Sequence, residues 1–164
     1  MTGHVAPERF REAMRLTVSG VTVVTTEGSA GRAGVTVSTL CSLSMEPPSV
    51  VLCIHRDSRA LGPILENGVF VANVLGADQS RVADSFAGLI PELREDRFGA
   101  GIWSTLKTGA PVLDGALCSF DCRVATVFEF GSHRILVGEV LELATSGSEP
   151  LAFSDRAYRR LVAA

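Results

Sequence analysis

The chain has 164 residues, a length that favours one domain spanning residues 1–164, with enough apolar side chains for a sizeable core. Its 46% hydrophobic and 20% charged residues form a globular composition and exclude intrinsic disorder. With 15 basic against 18 acidic side chains, net charge -3, a general binder of nucleic acid or anionic membrane is excluded, because that affinity comes from clustered Lys and Arg.

Pro7 to Ser19 has helical periodicity: Pro7 suits a first turn, Phe10, Ala13, Met14 and Thr17 share a face, and Gly20 ends it. The period then changes. Val21 to Thr26 is almost wholly β-branched, Glu27 to Gly34 is a glycine-rich turn, and Val35 to Met45 extends again, which predicts a hairpin. Pro47-Pro48 breaks that strand, and Ser49 to His55 forms the next. Asp57 and Ser58 are placed to cap a short helix from Arg59 to Asn67, closed by Gly68. Val69 to Leu75 is a further strand, and Asp78 is placed to cap a helix running toward Ala87. From Gly88 to Asp114 the chain is irregular and punctuated by Pro and Gly; such a stretch inside a compact domain usually serves as an interface or a lid. Leu117 to Phe130 and Arg134 to Leu143 are two strands joined by a tight hairpin at Gly131-Ser132-His133. A short helix over Ser154 to Leu161 ends the sequence.

Short antiparallel strands with a few peripheral helices predict a mainly β fold, a closed or nearly closed barrel. Strands do not alternate with helices and no G-x-G-x-x-G follows a strand, so a doubly wound dinucleotide-binding sheet is not expected. The longest apolar runs fall short of the ~20 residues that span a bilayer, and the first residues, MTGHVAPER, lack a signal-peptide core. A soluble cytoplasmic protein without membrane or nucleic-acid partners is therefore expected. Of the cysteines, Cys118 and Cys122 lie along one strand, about 13 Å apart at Cα, too far for a disulfide or a shared metal. With no C-x-x-C or H-x-x-x-H in the sequence, reduced structural thiols and no metal site are expected.

Two neighbouring stretches carry the candidate chemistry. Small hydroxylated residues crowd the extended segment after Gly34 (Thr36, Ser38, Thr39, Ser42 and Ser44), which makes either a solvated edge strand or a polar ledge for a flat heteroaromatic ligand. His55-Arg56-Asp57-Ser58-Arg59 then places two guanidiniums and a hydroxyl before a helix, an arrangement suited to a phosphate.

The segments GVTVVTT, GVTVSTLCSLSMEPPSVVLCIHRDS, GVFVANVLGADQSRVADSFAG, GAPVLDGALCSFDCRV, GSHRILVGEV and EPLAFSDRAY, in this order over Phe10 to Leu161, resemble the short-chain flavin reductase family. Members are NAD(P)H-dependent reductase components of two-component flavin monooxygenases. The resemblance implies an FMN-binding split β-barrel, a homodimer with the flavin beside the subunit interface, FMN or FAD as flavin, NADH or NADPH as hydride donor, and a partner monooxygenase that receives reduced flavin. Leu89, Ile90, Phe98, Ile102 and Trp103 in the irregular segment are the apolar candidates for the dimer contact. By the same resemblance Thr36, Val37, Ser38 and Thr39 line the isoalloxazine, Cys53, Ile54 and His55 pass beside it, and Ser58 and Arg59 approach the ribityl phosphate. Gln79 and Phe86 border the phosphate end, His133 orients the nicotinamide, and Tyr158 closes the site. Three positions depart from the pattern: His55 stands where relatives often have Asn, Ala60 replaces a common Thr, and Ser132 replaces the Asp of a Gly-Asp-His hairpin. Hydride transfer between the two cofactors needs no protein acid or base, so the lack of a catalytic triad or carboxylate pair agrees with this activity. A flavin carrier or sensor, or a pyridoxamine-phosphate-oxidase-like oxidase on the same barrel, are the alternatives.

Overall fold

The computed structural model describes residues 3–163. In chain order the elements are α1 (Pro7–Arg15), β1 (Ser19–Gly20), β2 (Thr22–Thr26), β3 (Ala33–Val37), β4 (Cys41–Met45), β5 (Pro48–His55), α2 (Leu61–Asn67), β6 (Val69–Val74) and α3 (Ser80–Phe86). They continue with β7 (Trp103–Thr105), β8 (Pro111–Leu113), β9 (Cys118–Phe130), β10 (His133–Thr145), β11 (Leu151–Ser154) and β12 (Ala157–Arg160). A seven-stranded sheet runs β3-β2-β6-β9-β10-β5-β4, beside a three-stranded sheet β1-β11-β12 and the ribbon β7-β8. Every paired strand is antiparallel. The fold is mainly β with peripheral helices, as the strand pattern predicts.

The β-branched run of β2 is buried at every residue because both its faces are covered. Val24 packs with Leu52, Ile54, Ile64, Phe70 and Leu136 in one core, while Val23 on the opposite face joins Leu75, Val82, Phe86, Leu113 and Leu151 in the other. On the Val23 face a polar knot is satisfied. The Asn73 amide donates to Val23 O and Thr25 Oγ1, and its oxygen accepts from Leu113 N and Ser119 Oγ. Buried Asp121 accepts from the backbone N–H and the hydroxyl of Thr108. These bonds fasten the β7–β8 segment onto the large sheet. Cys122, buried beside Asp121, has its thiol pushed up to about 12, first by burial and then by that carboxylate. Thiolate forms only as pH rises toward that value, so Cys122 is expected to resist alkylation at about pH 8 until denaturant unfolds the chain. Peptide mass mapping after timed iodoacetamide exposure checks this.

Several sequence expectations need correction. The first helix stops at Arg15, not Ser19, because Ser19 and Gly20 pair with Phe153 and Ala152. The long extended segment Val35 to Met45 is two strands at opposite edges of the large sheet. The break is a long-range effect: Thr39 Oγ1 donates to Cys53 O and accepts from Cys53 N, both at 3.0 Å, taking the place of ladder bonds. Neither Asp57 nor Ser58 caps α2, whose N-cap is Ala60, and Asp78 does not cap α3, whose N-cap is Gln79; no cap side chain bonds to either helix. The expected helix over Ser154 to Leu161 is the β11–β12 hairpin. Its turn residues Asp155 and Arg156 have φ of 49° and 60°, the hand that tight hairpins require, and pairing of β11 with β1 overrides the local helical propensity. In the irregular segment Phe98 and Trp103 fold back onto Phe86, with ring centroids 4.9 and 5.6 Å away, so those two side chains serve this chain's own core. Leu89 and Ile102 stay exposed. Among the described residues no helix is long and apolar enough to cross a membrane.

Candidate active site

A cleft of ≈ 410 Å³ opens where β3 meets the ends of β5 and β10, with the β11–β12 hairpin along its side. That volume suits a small organic ligand, for which ~300–1,000 Å³ is usual. Of the residues singled out in the sequence, Thr36, Val37, Ser38, Thr39, Cys53, Ile54, His55, Ser58, His133 and Tyr158 line it. β3 is an edge strand, so one row of its backbone N–H and C=O groups has no ladder partner. Two side chains hold that edge and its continuation in place. Thr36 Oγ1 donates to Ala83 O of α3 at 2.6 Å, and Thr39 is locked to Cys53 as described. Behind the edge, a Cβ on Gly34 would lie 2.5 Å from a Phe86 ring carbon, so glycine lets the strand rest directly on that ring.

His55 and His133 are directly opposed across β5 and β10. Arg56 N donates to Ser132 O at 2.9 Å just beyond them, which makes theirs the non-hydrogen-bonded kind of pair, where side chains approach most closely. The imidazoles meet edge to face with centroids 5.1 Å apart. Asp57 N–H donates to His55 Nδ1 at 3.2 Å, which leaves the ring proton of neutral His55 on Nε2. Ser132 Oγ lies 2.9 Å from His133 Nδ1, so the serine in the hairpin's second position braces the ring without adding charge.

On the other wall the Tyr158 hydroxyl donates to Asp84 Oδ1 at 2.6 Å. Burial, then that hydrogen bond and the carboxylate's charge, raise the phenol's pKa above its ordinary value, so it remains a neutral donor. Burial, with a smaller effect from Cys41, also raises the Cys53 thiol, which fills space as a neutral group. Among the described residues no carboxylate lines the cleft.

Three of the singled-out residues do not line it. Gln79 braces a loop, its Oε1 accepting from Gly76 N and its Nε2 donating to Asp114 O. Phe86 is core and supports β3 from behind. Arg59 is exposed beside Ser58. The lining also includes Val21, Val35, Ala87, Leu89 and Phe153, none of which the sequence reading assigned to the site. Phe153 stands just before the segment expected as a C-terminal helix; in the hairpin it pairs with Tyr158, ring centroids 5.5 Å apart. A free strand edge, imidazoles, a hydroxyl-bearing turn and two aromatics without carboxylates fit a flat heteroaromatic ring with an anionic tail.

Residues 14–162 match the family model described as flavin reductase like domain. The chain belongs to the flavin reductase family. It is 44% identical over 158 residues to the NADH-dependent FMN reductase RutF 2 of Methylorubrum extorquens, covering 96% of this chain and 91% of that one. Among solved structures, the YcdH protein of Haemophilus somnus superposes with a TM-score of 0.90 at 35% identity, over 96% of this flavin reductase and 100% of that chain. The NADH:FAD oxidoreductase SgcE6 of Streptomyces globisporus, in complex with NAD and FAD fragments, gives 0.87 at 30% identity over 98% of each chain.

Proposed function

We propose that in this cleft the protein brings an FMN or FAD ring face to face with a reduced nicotinamide from NADH or NADPH, and releases the reduced flavin to a separate flavin-dependent monooxygenase. The observation that carries this is the convergence of ten residues from β3 and the link after it, β5 and the following turn, β10 and β12 on one cleft lined by no carboxylate among the described residues. Flavin, when bound, supplies the ring that accepts hydride, so the chain need supply no acid, base or nucleophile. What it supplies is position. The unpaired edge of β3 offers backbone donors to the polar rim of the ring, and the Thr36–Ala83 and Thr39–Cys53 bonds fix those donors before the ligand arrives. Ser58 and the adjacent Arg59 hold the phosphate, His133 orients the nicotinamide carboxamide, and Phe153 with Tyr158 excludes water. NADH or NADPH consumption that depends on added FMN or FAD is the expected outcome; nucleotide left untouched at every flavin concentration would contradict it.

Arg59→Ala is expected to weaken flavin binding about tenfold and leave the limiting rate of flavin reduction unchanged, because a charge-assisted contact to phosphate contributes equally to ground and transition states. Flavin fluorescence titration measures it, and an unchanged affinity would place the phosphate elsewhere.

The seven-stranded sheet is inferred to curl into a split barrel. Its edge strands β3 and β4 are joined only through Ser38, Thr39 and Leu40. Laid flat, the two edges would stand ~29 Å apart, whereas Val37 to Cys41 can reach only ~14 Å. The face turned away from the core supports a homodimer with the cleft at its border. Register puts Cys53, Ile135 and Phe128 in one row and His55, His133 and Phe130 in the next, with Phe128 and Phe130 exposed. Two-fold pairing is the commonest cover for such a patch. Sedimentation at micromolar concentration is expected to give two copies; a monomer would overturn the pairing.

A further inference from the structure

A second cleft, ≈ 450 Å³, shares no residue with the first and has no part in the proposed reaction. Leu40, Met45, Val74, Phe120, Val140 and Leu143 give it apolar walls, interrupted by hydroxyls but by no charged side chain. This chain leaves it uncovered: Met45 is 81% exposed and Leu143 52%. Glu46 follows Met45 at the β4–β5 turn, so one carboxylate stands beside the apolar walls, whereas Glu142, opposite Asp121, faces the other side of β10 from Leu143. Glu46 is exposed and has no ion-pair partner among the described residues.

The N-terminal helix has the complementary pattern. α1 has nine residues and buries none of them. Phe10, Ala13 and Met14 make one stripe at helical spacing, and Arg9 and Arg11 flank it on either side without ion-pair partners among the described residues. A helix this short is marginal in water unless an apolar face is packed. Its own chain holds its C-terminal end elsewhere: Arg15 Nε pairs with Asp155 Oδ1 at 2.7 Å, and Asp155 N donates to Arg15 O at 2.9 Å. That fixes α1 to the turn of the β11–β12 hairpin, whose Phe153 and Tyr158 line the first cleft, not the second.

We propose that α1 of one copy seats its Phe10–Met14 stripe in the second cleft of another copy, with the Arg9 and Arg11 side of the helix toward Glu46. Cys41 of β4 lines this cleft and pairs with Val51 on the apolar sheet face, so the seat is continuous with the dimer surface proposed above, on which this inference rests. In a two-fold dimer each copy gives one helix and receives one, so the exchange closes at two chains.

The test uses Met14→Cys in the full chain with a short bis-maleimide, followed by denaturing electrophoresis. A covalent dimer that disappears when Cys41→Ser is added supports the exchange. A link within one chain, found by mass spectrometry, or no link at all, overturns it. A second variant, Phe10→Glu with Met14→Glu, alters only side chains exposed in the chain and so leaves the fold intact; the dimer dissociation constant is expected to rise at least tenfold. A wild-type protein that sediments as a monomer defeats both the dimer reading and the exchange. A wild-type dimer that the double variant does not weaken defeats the exchange alone.

Discussion

Gly138→Ala is expected to destabilise the protein by ~1–3 kcal/mol, the usual cost of forcing atoms into a packed core, and Gly138→Val by more. Gly138 sits at a register shift where β9 bulges against β10, Ala125 being the extra residue. A Cβ there would lie 2.3 Å from Phe70 Cζ, 2.9 Å from Phe70 Cε1 and 3.0 Å from Cys122 Cβ. Phe70 is fully buried among Leu52, Ile54, Ile64 and Leu136 and has nowhere to turn. For a chain of this size the alanine variant should melt about 3–10 °C lower. The two shortest of these contacts are to Phe70, so in a Phe70→Leu background the same alanine should cost less than it does alone, a non-additivity that a double-mutant cycle reads directly. Equal melting of wild type and Gly138→Ala would mean that the bulge is not packed as described.

His133→Ala is expected to raise the apparent Michaelis constant for NADH about tenfold or more and to slow flavin reduction, while flavin affinity stays at the wild-type value. The imidazole lines the cleft, opposed by His55 and braced by Ser132, and in the proposed reaction it orients the nicotinamide. Losing one hydrogen bond removes about 1 kcal/mol, and misplacing the reacting carbon adds to it. His133→Asn keeps a donor at the same hairpin position and should recover part of the loss. Anaerobic stopped-flow reduction at subsaturating NADH makes the comparison; a rate equal to wild type would leave His133 as a solvated turn residue.

Most of the strands are legible locally, because β-branched runs such as Thr22–Thr26 and the two-residue turn Gly131-Ser132 encode their own geometry. What the sequence hides is decided at a distance. The segment Val35 to Met45 holds no glycine or proline to mark a break, only a slip of the alternation at Ser38-Thr39, and the bond between Thr39 and Cys53, fourteen residues on, divides it. The stretch SDRAYRRL is compatible with a helix until β1 pairs with β11, and neither Asp155 nor Arg156 announces a positive φ as glycine would. The candidate site follows the same division. Residues on β3, β5 and β10 alternate predictably and arrive in the cleft. Gln79 and Phe86 belong to a matching segment, yet one turns to Gly76 and Asp114 and the other into the core. Phe153 enters only because the hairpin exists.

Co-crystallisation with FMN and an unreactive reduced nicotinamide analogue tests the central claim most directly. The predicted result is an isoalloxazine lying along the free edge of Thr36–Thr39, its phosphate toward Ser58, with the nicotinamide stacked between it and His133. Flavin found in the second cleft against Met45 and Leu143, or nowhere near β3, would contradict the account.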